Sequence, residues 1–68
     1  MCLSTVFQYS DSPDNASEVC SNISNFNVQG THIVFTDLLG EQYTLEGAIT
    51  SVDFVKSRIM VQCEKKAV

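Results

Sequence analysis

The chain has 68 residues, 44% of them apolar and 18% charged, the balance of a folded globular chain rather than a disordered one. Its net charge is −4, from four Lys plus Arg against eight Asp plus Glu, which makes nucleic acid an unlikely partner because such binding rests on neutralising phosphates. There is no basic leader and no apolar run near the roughly 20 residues that span a bilayer, so the sequence reads as one cytosolic domain over residues 1–68 with no membrane segment. A domain this small buries only about 60% of its unfolded surface, so a metal, a disulfide or a second subunit is expected to add stability.

The first nine residues alternate, with Leu3, Thr5, Phe7 and Tyr9 on one side and Cys2, Ser4, Val6 and Gln8 on the other. Their β-branched and aromatic content predicts a strand that starts almost at the terminus. Residues 10–17 are turn chemistry around Pro13, which predicts a loop long enough to cross an edge of the sheet. Residues 19–26 alternate loosely and predict a strand bent near Asn25, and residues 27–30 predict a turn with Gly30 at positive φ.

Residues 31–37 are strongly strand-forming. A turn at Leu38-Leu39-Gly40-Glu41 and a clean alternation over residues 42–46, with Tyr43 and Leu45 inward, complete a hairpin. Residues 48–55 follow Gly47. Their apolar positions Ile49, Val52 and Phe54 break strict alternation, so a bulge or bend is expected at Ser51. A turn at Lys56-Ser57 leads to a last strand over residues 58–63, and the tail over residues 64–68 is expected to fray. No helical period and no internal repeat is present. Five or six short antiparallel strands at this spacing predict an all-β small barrel or sandwich.

The chemistry concentrates at Cys2. Its small side chain suits removal of Met1, which would place a free α-amine and a thiol on one carbon. With deprotonated backbone amides they would form a planar N/S field that suits Ni(II), and also Cu(II). The competing reading is that Cys2 is a small strand residue facing the core. Cys20 and Cys63 fit no C-x-x-C pattern and are expected as reduced, buried thiols. His32 is the single histidine, with no companion ligand at fixed spacing, and reads as structural. Asp53 reads as a turn or backbone acceptor, and Asp11, Asp14 and Glu18 as a solvated loop cluster. No nucleophile–base pair and no phosphate loop is present, so an enzyme is not expected.

The opening Met1-Cys2-Leu3-Ser4-Thr5-Val6-Phe7 resembles that of the CooT family, small proteins tied to nickel handling for carbon monoxide dehydrogenase. The run Gly47-Ala48-Ile49-Thr50-Ser51-Val52-Asp53-Phe54, the short strand after it and the turn at Asp37-Leu38-Leu39-Gly40-Glu41 carry the resemblance further. The chain departs from the family in its longer loop over residues 10–17 and in carrying Cys20 and Cys63. The resemblance implies an SH3-like small barrel, a homodimer, Ni(II) held by Cys2 and a client such as carbon monoxide dehydrogenase. Two other readings stay open: an interaction module without metal, and weak RNA binding, a label that members of the family have also carried. The second needs a basic groove with aromatic side chains.

Overall fold

The computed structural model describes residues 3–63. Six strands make one sheet: β1 (Ser4–Tyr9), β2 (Ser17–Gln29), β3 (His32–Asp37), β4 (Gln42–Glu46), β5 (Ala48–Asp53) and β6 (Arg58–Gln62). The only helical element among the described residues is a 3-10 turn at Pro13–Asn15. The strand order is β4-β3-β2-β1-β6-β5, so the all-β expectation holds. Four of the five ladders are antiparallel, whereas β1 and β6 pair parallel, contrary to the wholly antiparallel expectation. A parallel pair needs a long crossover. Here the crossover is the entire chain between Tyr9 and Arg58, a separation that local patterning does not register.

β4 and β5 lie at opposite ends of the strand order, yet Gly47 alone separates them in sequence. Consecutive Cα atoms are about 3.8 Å apart, so the sheet curls until its two edges meet at this corner. The edges are not laddered to each other, and the roll stays open. Gly47 has φ +137°, and a Cβ there would run into the Gln62 carbonyl oxygen and stand 2.9 Å from Cys63 Cα. The corner therefore requires glycine for both conformation and space.

β2 serves two neighbours in turn. Its first half pairs with β1 and its second half with β3. Between them the chain bends at Asn22, at φ 58°, and the β3 register slips between Ile23 and Asn25. Asn tolerates this left-handed conformation better than most residues. The expected bend is therefore present, about three residues earlier. Asn27, Val28 and Gln29, expected in a turn, continue the strand, because β3 is a strong partner and Phe26 and Val28 reach its apolar side. The turn shrinks to Gly30-Thr31, with Gly30 at φ 62°, the positive φ that a type II′ hairpin needs at its first position.

The loop before β2 does not cross an edge. It joins neighbouring antiparallel strands, and the Ser12 hydroxyl accepts from Asp14 N–H at 3.2 Å to start the Pro13–Asn15 turn. In β5 the register slips between Ile49 and Ser51, the irregularity that its apolar spacing predicts. Phe54, expected to extend β5, lies in the turn and is 83% exposed.

The core is Val6, Cys20, Ile23, Ile33, Phe35, Ile59 and Val61, with Tyr43, Leu45, Ile49 and Val52 packed around it. Across the β2–β3–β4 half, register sets two apolar rows, Phe26–Phe35–Tyr43 and Val28–Ile33–Leu45, on the inner face. The rings of Phe26 and Phe35 lie 5.9 Å apart and tilted, an attractive arrangement. The outer face carries Asn25, Asn27, Gln29, His32, Thr36, Gln42, Thr44 and Glu46 around Val34.

Candidate functional site

β1 sits inside the sheet, between β2 and β6. Its first residues are fixed from both sides: Ser4 pairs with Ile23, and Thr5 N–H donates to the Ser57 carbonyl at 2.9 Å. Leu3 is half-buried. Cys2, the predicted metal ligand, lies outside the described residues. Beside Ser4 runs a groove of about 330 Å³ whose apolar lining comes from Ile23, Phe26, Val52, Phe54 and Ile59. Phe26 is 41% exposed there and Phe54 stands nearly free. Val55, next along the turn, is 94% exposed.

The remaining cysteines, the histidine and the loop acids, read from sequence as structural or solvated, are not gathered into one site. Cys20 is buried in the core; burial pushes its thiol up, and the carboxylates of Asp37 and Glu18 add to the shift. It is therefore a protonated packing residue rather than a thiolate at neutral pH. The Cys63 thiol donates weakly to the Tyr9 carbonyl at 3.5 Å. It borders a cleft of about 470 Å³ at the Gly47 corner, otherwise lined by Ser10, Gly30, Thr31, Gly47, Ala48 and Gln62. His32 lies on the outer face between Gln29 and Glu46. Asp11, Asp14 and Glu18 are solvent-exposed. Among the described residues, His, Cys, Asp and Glu nowhere come together in threes that could hold a metal ion.

The carboxylates that matter structurally are Asp37 and Asp53. Asp53 Oδ1 accepts from the N–H groups of Val55 and Lys56, both at 3.0 Å, as its turn position predicts. The bond from Lys56 N–H is the main reason its carboxyl is held below the ordinary value, with Val55 N–H, Lys56 and Arg58 acting the same way. Asp37 was missed by sequence reasoning. Its Oδ1 accepts from Leu39 and Glu41 N–H at 2.9 Å, and its Oδ2 from the Tyr43 hydroxyl at 3.2 Å. That last bond is the first cause of the raised Tyr43 phenol. The available signal was an Asp ending a strand just before a tight turn, where a side-chain carboxylate caps free N–H groups.

A basic groove lined with aromatics is not formed among the described residues. Lys56 and Arg58 are the basic residues there, and Arg58 lies 5.3 Å over the Phe7 ring. No helix among the described residues is long and apolar enough to cross a membrane.

Comparison with known proteins agrees with this architecture. A crystal structure assigned to CooT of Carboxydothermus hydrogenoformans superposes with a TM-score of 0.80, at 14% identity, covering 94% of this chain and 100% of that one. At that identity the likeness establishes a shared fold. No match is found among curated proteins. The family profile described as "CO dehydrogenase accessory protein CooT" matches residues 1–62. With all but six residues matched, the chain belongs to the CooT family of CO dehydrogenase accessory proteins.

Proposed function

We propose that this protein is a nickel carrier that binds Ni(II) through Cys2 once Met1 has been removed. The α-amine and thiolate of Cys2 would close a five-membered chelate, and neighbouring backbone amides would complete a planar field. The observation that carries the reading is an N-terminal cysteine just ahead of an internal strand, in a chain whose family is that of CO dehydrogenase accessory proteins. β1 is held by β2 and β6 from Ser4 onward. Ser4 follows Cys2 by two residues, so a strand held on both sides would support the chelate. The other two thiols support the reading by their placement, since one is buried and protonated and the other faces a backbone carbonyl.

In this reading nickel is cargo, the client is CO dehydrogenase and the compartment is the cytosol. A second copy meets the first at the groove beside Ser4, where the exposed rings of Phe26 and Phe54 offer apolar area and the two Cys2 termini would approach each other.

The test is titration calorimetry of the untagged, Met-processed protein with Ni(II), beside Cys2→Ser and a form with one residue added before Cys2. Binding lost in both variants is the expected result. Unchanged affinity in the extended form would remove the amine from the coordination, and unchanged affinity in Cys2→Ser would end the proposal.

A further inference from the structure

The two edges of the sheet are unlike. β5 is interrupted by the slip between Ile49 and Ser51, the kind of irregularity that discourages a further strand from pairing. β4 pairs with β3 in unbroken register, and among the described residues β3 is its only neighbour in the sheet. It carries no Pro, Lys or bulge, the usual devices that protect an edge.

The parity of its hydrogen bonds is fixed. Asp37 N–H donates to the Glu41 carbonyl at 2.9 Å and Gly47 N–H to the Thr31 carbonyl at 3.0 Å. Bonded pairs alternate along an antiparallel ladder, so Tyr43 and Leu45 also bond toward β3. Gln42, Thr44 and Glu46 therefore aim their backbone N–H and C=O groups away from the sheet, and their side chains are exposed.

Among the described residues, the charged side chains of β4 and of the turn before it are all acidic. Glu41 and Glu46 bracket the edge and are exposed. No Lys or Arg precedes Lys56, whereas seven of the eight Asp and Glu do. A second β4 laid antiparallel on this edge, Thr44 against Thr44, would set Glu46 of each copy opposite Gln42 of the other, with no opposite charge to meet it. A strand that sets Lys or Arg opposite Glu46 is favoured over one that sets a neutral residue there.

From this geometry we infer that the β4 edge is a docking site for an extended, basic segment of a partner protein, which adds a seventh strand by pairing with Gln42, Thr44 and Glu46. Backbone groups supply the bonds and alternate Lys or Arg side chains on the outer face meet Glu46, with Glu41 adding acidic charge at the start of the edge. This site is separate from Cys2 and does not rest on the metal reading.

The probe is the peptide acetyl-Lys-Thr-Lys-Val-Lys-Thr-Lys-amide, with its Lys→Glu counterpart, added to isotope-labelled protein. The basic peptide is expected to shift the amide signals of Gln42, Thr44 and Glu46 and slow their hydrogen exchange at least tenfold. Added salt should weaken the effect, and the acidic peptide should leave these amides unchanged. Thr44→Pro deletes the central outward N–H without touching the β3 ladder and should weaken binding at least tenfold. The double variant Glu41→Lys with Glu46→Lys should reverse the preference between the two peptides. Equal response to both peptides, protection appearing on β5 instead, or no protection at all would overturn the inference. So would concentration-dependent protection of these amides without peptide, since a second copy would then occupy the edge.

Discussion

The two edges meet at one glycine and resemble each other little beyond it. β4 is regular in register, acidic and backed by the fully buried Ile33 and Phe35 of β3. β5 is irregular, and its Thr50 is tied across β6 by the Tyr9 hydroxyl, which donates to Thr50 Oγ1 at 3.0 Å. Each edge strand is anchored to its neighbour by a tight turn with an aspartate cap, Asp37 for β4 and Asp53 for β5. The Asp37 cap also holds a tyrosine of the adjoining strand, whereas the Asp53 cap binds only backbone N–H groups. An edge built on regular pairing keeps its outward groups available to another strand, while an edge built on a bulge and side-chain tethers does not.

The largest test of this contrast is at the corner. Gly47→Ala should destabilise the protein by about 3 kcal/mol or prevent folding, because the added Cβ meets Gln62 backbone at a φ that side chains avoid. Denaturant unfolding measures it, and a loss below about 1 kcal/mol would mean that the edges are not joined tightly there. Next comes Tyr9→Phe, which removes the tether of β5 and should cost about 1 kcal/mol, with faster amide exchange in β5 and none of that change in β4. Equal loosening of both edges would erase the distinction.

The smallest effect concerns Asp53, whose folded carboxyl is held below its ordinary value of 3.8. A depressed folded value stabilises the protein above the unfolded one, and the contribution is lost as pH falls through the folded one. The wild type should therefore exceed Asp53→Asn slightly in melting temperature near neutral pH, and the gap should close as pH drops below about 4. A gap that persists in strong acid would mean that the carboxylate charge is not what caps this turn.

Much of this was legible in residue order. Strand-forming runs gave β3, β4 and β6 nearly to their ends, and broken alternation gave the irregularity in β5. Asp53 as a turn acceptor followed from its position before Phe54-Val55-Lys56-Ser57. Asn27-Val28-Gln29 misled, because Asn27 and the following Gly30 favour a turn locally while a well-formed neighbour strand can hold the segment extended. Phe54 misled for the opposite reason: its apolar side chain reads as core, and a turn holds it in solvent.

Local order along the chain thus determined the all-β class, the hairpins and the cap at Asp53, because alternation and turn chemistry act over a few neighbouring residues. The parallel pairing of β1 with β6, the corner at Gly47 and the difference between a regular and a bulged edge were decided by the tertiary structure. Each depends on which distant strands share a ladder, and that is set by how the whole sheet curls over Val6, Phe35 and Val61.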